Sequence, residues 1–183
     1  MKKIIILSSS LVVASLLFTG CGIKTSEYNV SAENVSQLRS YEGIKINVGE
    51  FSADNPKERS KLCRLAETIT TPKGESFEQY IKEAFVSELK MANIYDKASN
   101  LTITGNVDKV YGSSVIGNAY WEVSVTINST NGKSIKVNTK RDYPSAFVAN
   151  TACNNMATSF SPTIKQLIND IINHKDFHSL LSK

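Results

Sequence analysis

From Ile44 onward the apolar positions of this chain switch between two spacings. Ile44, Ile46 and Val48 alternate with Lys45 and Asn47, the period of a strand with one buried face. Residues 52–75 lose that period and are broken by Pro56, Pro72 and Gly74, so they read as a loop of unusual length for a compact domain. Ser76 followed by Gln79 fits a capping box, and Phe77, Ile81, Ala84, Phe85, Leu89 and Ala92 then recur at helical spacing to about Tyr95. Three strand patterns come next. Leu101, Ile103 and Val107 alternate with Thr102, Thr104 and Asp108, while Trp121, Val123, Val125 and Ile127 alternate with Glu122, Ser124 and Thr126. In the third, Ile135, Val137 and Tyr143 share one parity against Lys136, Asn138, Lys140 and Asp142. Each strand keeps one wet face.

The closing stripe of Cys153, Met156, Phe160, Ile164, Leu167 and Ile171 runs at helical spacing straight through Pro162. One kinked helix accounts for that continuity; the alternative is a fresh helix with Ser161 as cap and Pro162 at its first position. The elements predict an α+β domain over residues 42–183 in the order β-α-β-β-β-α, with a mainly antiparallel sheet of about four strands and two helices on one face. Asn131-Gly132 suggests a two-residue hairpin turn, but that register would oppose apolar odd positions to polar even ones. A three-residue loop, Thr130-Asn131-Gly132, instead sets Ile127 against Ile135 and Val125 against Val137. It puts Gly132 at the left-handed position of a bulge.

Residues 1–20 show a different order: Lys2 and Lys3, an apolar run from Ile4 to Phe18, then Thr19-Gly20 ahead of Cys21. These are the three regions of a secretory signal peptide. A membrane span needs a longer uninterrupted apolar run than one holding Ser8, Ser9 and Ser10. Phe18-Thr19-Gly20-Cys21 resembles the lipobox of bacterial lipoproteins, with Phe18 where Leu is usual. The resemblance implies cleavage before Cys21 and lipidation of Cys21. With Gly22 rather than Asp next, it also implies sorting to the outer membrane, the domain lying in the periplasm. A cleaved, soluble periplasmic protein is the alternative. Residues 22 to about 41 are polar around isolated Val30, Val35 and Leu38, and with Cys21 they read as a lipidated tether over 21–41.

Charge adds an exclusion. Loss of residues 1–20 removes two lysines and no acids, which takes the formal charge from +4 to +2; this is no nucleic-acid footprint. The two histidines, His174 and His178, stand four apart as a metal pair would, but Asp176 is the only carboxylate nearby, so no ligand set is specified. No phosphate loop, dinucleotide fingerprint or nucleophile elbow is present. The sequence specifies neither a reaction nor a cofactor. Trp121 could serve as a ligand platform, but its parity with Val123 and Val125 points it at the core, and Tyr111, Tyr120 and Tyr143 read either as a groove lining or as ordinary strand tyrosines. Lys136, Lys140 and Arg141, offset by Asp142, read as a solvated face. With Cys21 lipidated, Cys63 and Cys153 remain as a pair in an oxidising compartment and are expected to form a disulfide; two buried free thiols and a reactive catalytic cysteine are the competing readings.

The span from Ile44 to Leu181, with its long loop, the helix around Gln79-Tyr80-Ile81-Lys82-Glu83-Ala84, the Asn-Gly hairpin and the closing helix, resembles proteobacterial lipoproteins. More loosely it is similar to YajG and CsgG-like periplasmic domains and to auxiliary lipoproteins of lipid ABC transporters. The resemblance implies a non-enzymatic α/β domain, held on the membrane by N-terminal lipid, that binds an envelope protein. The competing expectation is a lipid carrier holding an acyl chain between helices and sheet.

Overall fold

The computed structural model describes residues 22–182, so the signal segment and Cys21 lie outside the described residues. The fold is α+β, and its centre is a four-stranded sheet of order β2-β5-β6-β7. β2 is Asn47–Ala53, β5 Thr102–Val115, β6 Asn118–Ser129 and β7 Ser134–Asp142. β2 runs parallel to β5, and the other pairs are antiparallel. Two helices, α2 (Phe77–Met91) and α3 (Ala149–Ile172), cover one face. Phe51 of β2 lies 6.5 Å from Phe85 of α2, and Trp121 of β6 lies 4.9 Å from Phe160 of α3. The indole N–H of Trp121 donates to Met156 O at 2.9 Å, so the buried ring keeps a partner for its polar atom.

α3 runs unbroken through Pro162. The β6–β7 register sets Ile127 against Ile135 and Val125 against Val137, and Gly132 has φ +84°, as parity required. Two bulges depart from simple alternation. One shifts register between Val48 and Phe51, so Phe51 is buried although its parity differs from that of Val48; the other lies between Val107 and Lys109 and brings Val110 back inside. Ser76 is the N-cap of α2, but the capping box does not form. Its side chain makes no cap bond, Gln79 bonds Glu83, and the Phe77 N–H donates to Glu58 O.

Two readings are corrected. The long loop holds a hairpin of β3 (Ser60–Cys63) and β4 (Glu67–Thr70). The segment read as a tether is packed: β1 (Ile23–Lys24) pairs in parallel with β4, completing a three-stranded sheet β1-β4-β3. Helix α1 (Ala32–Leu38) buries Asn34, Val35 and Leu38 against α2 and α3. Polar groups fasten it. Glu88 Oε1 of α2 accepts from the Tyr28 hydroxyl, from Ser31 N at 2.8 Å and from Asn34 Nδ2 at 3.3 Å. Asn34 also donates to Lys165 O of α3. Apart from Val35 and Leu38, the segment is held by backbone pairing, side-chain hydrogen bonds and scattered partly buried apolar side chains, so it leaves no sustained hydrophobic period to read. The last element, α4 (Phe177–Leu181), closes the core.

Candidate functional site

The expected cysteine pair is bonded. Cys63 at the end of β3 and Cys153 in the second turn of α3 form a disulfide with Cα atoms 5.7 Å apart, and both are fully buried. This bond fixes the β3–β4 turn beside the start of α3. Next to it, Arg64 joins three loops. Its backbone N–H donates to Ser114 Oγ and its Nε to Ser114 O at the end of β5, while Nη2 donates to Ser145 Oγ and to Ala146 O at 2.7 Å before α3.

Beside each point held by Arg64 stands an exposed apolar side chain. Leu65 is 90% exposed, Val115 60%, Phe147 88% and Val148 64%, with Ile116 also open. Single exposed apolar residues are ordinary, whereas a group gathered from three loops is the pattern of a candidate interaction surface. The backbone is strained there as well: Arg64 has φ +50° and Leu65 φ +54°. That is a left-handed pair which Asn and Gly adopt far more readily, at about 1–3 kcal/mol for each other residue type. The disulfide and the Arg64 hydrogen bonds over-determine the turn.

Behind the tips, on the outer face of the sheet, Tyr111 and Tyr120 stand 5.7 Å apart. Lys109 lies over the Tyr111 ring at 5.4 Å and Lys140 over the Tyr120 ring at 4.1 Å. Lys109 is also paired with Glu122. Tyr143, in contrast, is buried and donates to Ser113 O at 2.7 Å, so the three tyrosines do not line one groove. Further along this face, Lys136 meets Asp108 at 3.2 Å. Burial pushes the Asp108 carboxyl up, but hydrogen bonds from Asn106, Thr126 and Lys136 outweigh it and hold the group below the usual carboxylate range.

At the other end of the sheet, an open groove of about 640 Å³ runs between edge strand β2 and α2. Asn47, Glu50, Lys82, Glu83 and Lys90 are among its lining, and Lys82 reaches Glu50 at 2.8 Å. β2 starts opposite Thr102, the first residue of β5, whereas the apolar tips lie beyond Val115, its last. The two surfaces are thus separated along β5 by roughly 40 Å.

The histidines have local roles. His174 Nδ1 accepts from Asp176 N, and His178 stacks on Tyr41. Among the described residues no group of three His, Cys, Asp or Glu is placed to hold a metal ion, and no helix is long and apolar enough to cross a membrane.

No family model matches the chain, and no curated protein is similar to it in sequence. Two solved structures are similar in chain path. One is a Xanthomonas campestris protein titled with the family model DUF330: 10% identity, 86% of this chain and 94% of that chain covered, TM-score 0.47. The other is a candidate lipoprotein from Caulobacter crescentus: 15% identity, 82% and 93% covered, TM-score 0.39. Likenesses this remote carry no argument about function.

Sequence reading did not single out the apolar loop end. The available signal was two pairs of adjacent apolar residues, Val115-Ile116 before Gly117 and Phe147-Val148 after Pro144, lying in turns where polar residues are usual.

Proposed function

We propose that this protein is a lipid-anchored accessory lipoprotein of the bacterial envelope, non-enzymatic, which docks an envelope polypeptide in the groove between β2 and α2. The observation that carries the reading is the signal order ending in Phe18-Thr19-Gly20-Cys21 directly ahead of Gly22, the first residue of the described fold. An anchor there holds the domain close to the bilayer, with the β2–α2 groove at the far end. The groove suits an extended segment, because β2 is an edge strand and edge strands offer backbone groups for pairing. The lysines and glutamates beside it would set the sign and register of the partner. The acyl-carrier alternative lacks a comparable feature: Trp121, Phe160, Phe77 and Phe85 fill the space between helices and sheet.

Two measurements test this. Cys21→Ala should move the protein from the membrane to the soluble fraction after a high-salt wash, since acylation supplies the anchor. A photocrosslinker at Ser87 should trap one discrete envelope protein in intact cells. The adduct should be lost with Lys82→Glu and Lys90→Glu, and should not form from position 136 on the outer sheet face. The same adducts from both positions would refute the groove.

A further inference from the structure

The anchor point and the apolar loop end lie on the same side of the molecule. β1 runs parallel to β4, with Ile23 opposite Ile69 and Lys24 opposite Thr70. Gly22 packs so closely on Thr68 that a Cβ there would stand 2.7 Å from Thr68 Oγ1. β4 leads away from the turn at residues 64–66, so a strand parallel to it begins on the turn side. The chain therefore enters the fold at Gly22 a few residues from Leu65, and Arg64 ties that turn to the Val115–Ile116 and Phe147–Val148 loops.

We infer that this loop end is a membrane-contact surface, with Leu65, Val115, Ile116, Phe147 and Val148 entering the lipid interface beside the anchor. The inference rests on the lipid-anchor reading above. Three observations choose a lipid surface over a protein partner. The first is position: Cys21, the residue proposed to carry the lipid, directly precedes Gly22 here, so with β1 beginning at Ile23 an acylated Cys21 draws this end to the bilayer. The second is layering. Apolar tips are backed by Tyr111 and Tyr120 with Lys140 over the Tyr120 ring and Lys109, held by Glu122, over the Tyr111 ring. This is the order of an interface, where tyrosines sit at headgroup level and a long cationic side chain such as that of Lys140 reaches phosphate. The third is the strained turn, which holds Leu65 out in solvent instead of folding it inward.

The surface also adds binding. Two or more acyl chains on Cys21 would already give a stable anchor; the apolar tips add buried area and fix the orientation of the domain on it. The domain would stand on its loops, with β5 leading away from the bilayer and the β2–α2 groove presented at the far end.

The test uses the full chain purified from membranes, its N-terminal acyl mass verified, in vesicles of phosphatidylethanolamine and phosphatidylglycerol with plain or brominated chains. Phe147→Trp is the reporter and Lys133→Trp, on the opposite hairpin, the control. Wild-type emission from buried Trp121 is subtracted. Brominated lipid should quench Phe147→Trp by about half and leave Lys133→Trp unchanged. Ile116→Trp, on a second loop, should repeat the result and serves if Phe147→Trp does not fold. An acylated protein that sediments with vesicles yet shows no quenching at either loop overturns the surface and leaves the anchor standing. A chain that carries no acyl mass and neither sediments nor is quenched overturns both. A loop reporter equally shielded in both vesicle types by a co-purifying envelope protein overturns the lipid occupant in favour of a protein.

Discussion

Three tyrosines bring their hydroxyls inside the protein: Tyr28 to Glu88, Tyr80 to Ser26 O and Tyr143 to Ser113 O. Burial is the main reason each resists ionisation. It pushes Tyr80 up to about 12 and raises Tyr28 and Tyr143 further, with the hydrogen bond to Glu88 adding to Tyr28. The sign follows from linkage. An unfolded tyrosine ionises near pH 10, so these groups contribute stability that is fully present below about pH 10 and is lost as pH rises through their folded values. Urea midpoints from about pH 8 to 12 should be flat at first and then fall. Tyr80→Phe should make the alkaline fall shallower; an unchanged slope would show that Tyr80 is not among the groups responsible.

Elements of this fold are held by one another's ends. The turn between β6 and β7 caps α4: Asn131 Nδ2 donates to Ser179 O at 2.8 Å and to Ser182 O at 2.6 Å, and Ser129 Oγ donates to Leu180 O. Asn131→Ala should cost about 1–3 kcal/mol by leaving carbonyls of the last turn unpaired. Hydrogen exchange should show residues 177–182 loosening before the central sheet, and uniform loosening would contradict the cap. This turn also shows what the sequence could disclose. β6 and β7 are long enough for parity to fix their register, and Gly132 marks the left-handed position. The β3–β4 hairpin left no such trace, because its four-residue strands bury only Cys63 and Ile69. The α1 segment is joined through Glu88 and Asn34, whose partners are far away in sequence. The bulges after Val48 and Val107 reset parity inside strands that otherwise alternate.

Across the whole molecule, the Cys63–Cys153 bond spans 90 positions and fastens the small sheet to α3. The chain-entropy model gives about 4–5 kcal/mol for a loop of this size, an upper figure. Replacing both cysteines with serine should lower stability by up to that amount and speed exchange first in residues 60–70. Thiol counting on unreduced, denatured protein should find neither Cys63 nor Cys153 free. The same bond has a consequence for maturation. In the proposed exported precursor, Cys21 is a third thiol, and it precedes Cys63 during translocation while Cys153 is still to come. Three cysteines permit three pairings, and the earliest to become possible is the wrong one. In the lipoprotein proposed above, transfer of lipid to Cys21 would withdraw that competitor, so acylation would do more than set an address: it would reduce the oxidative folding problem to a single pair.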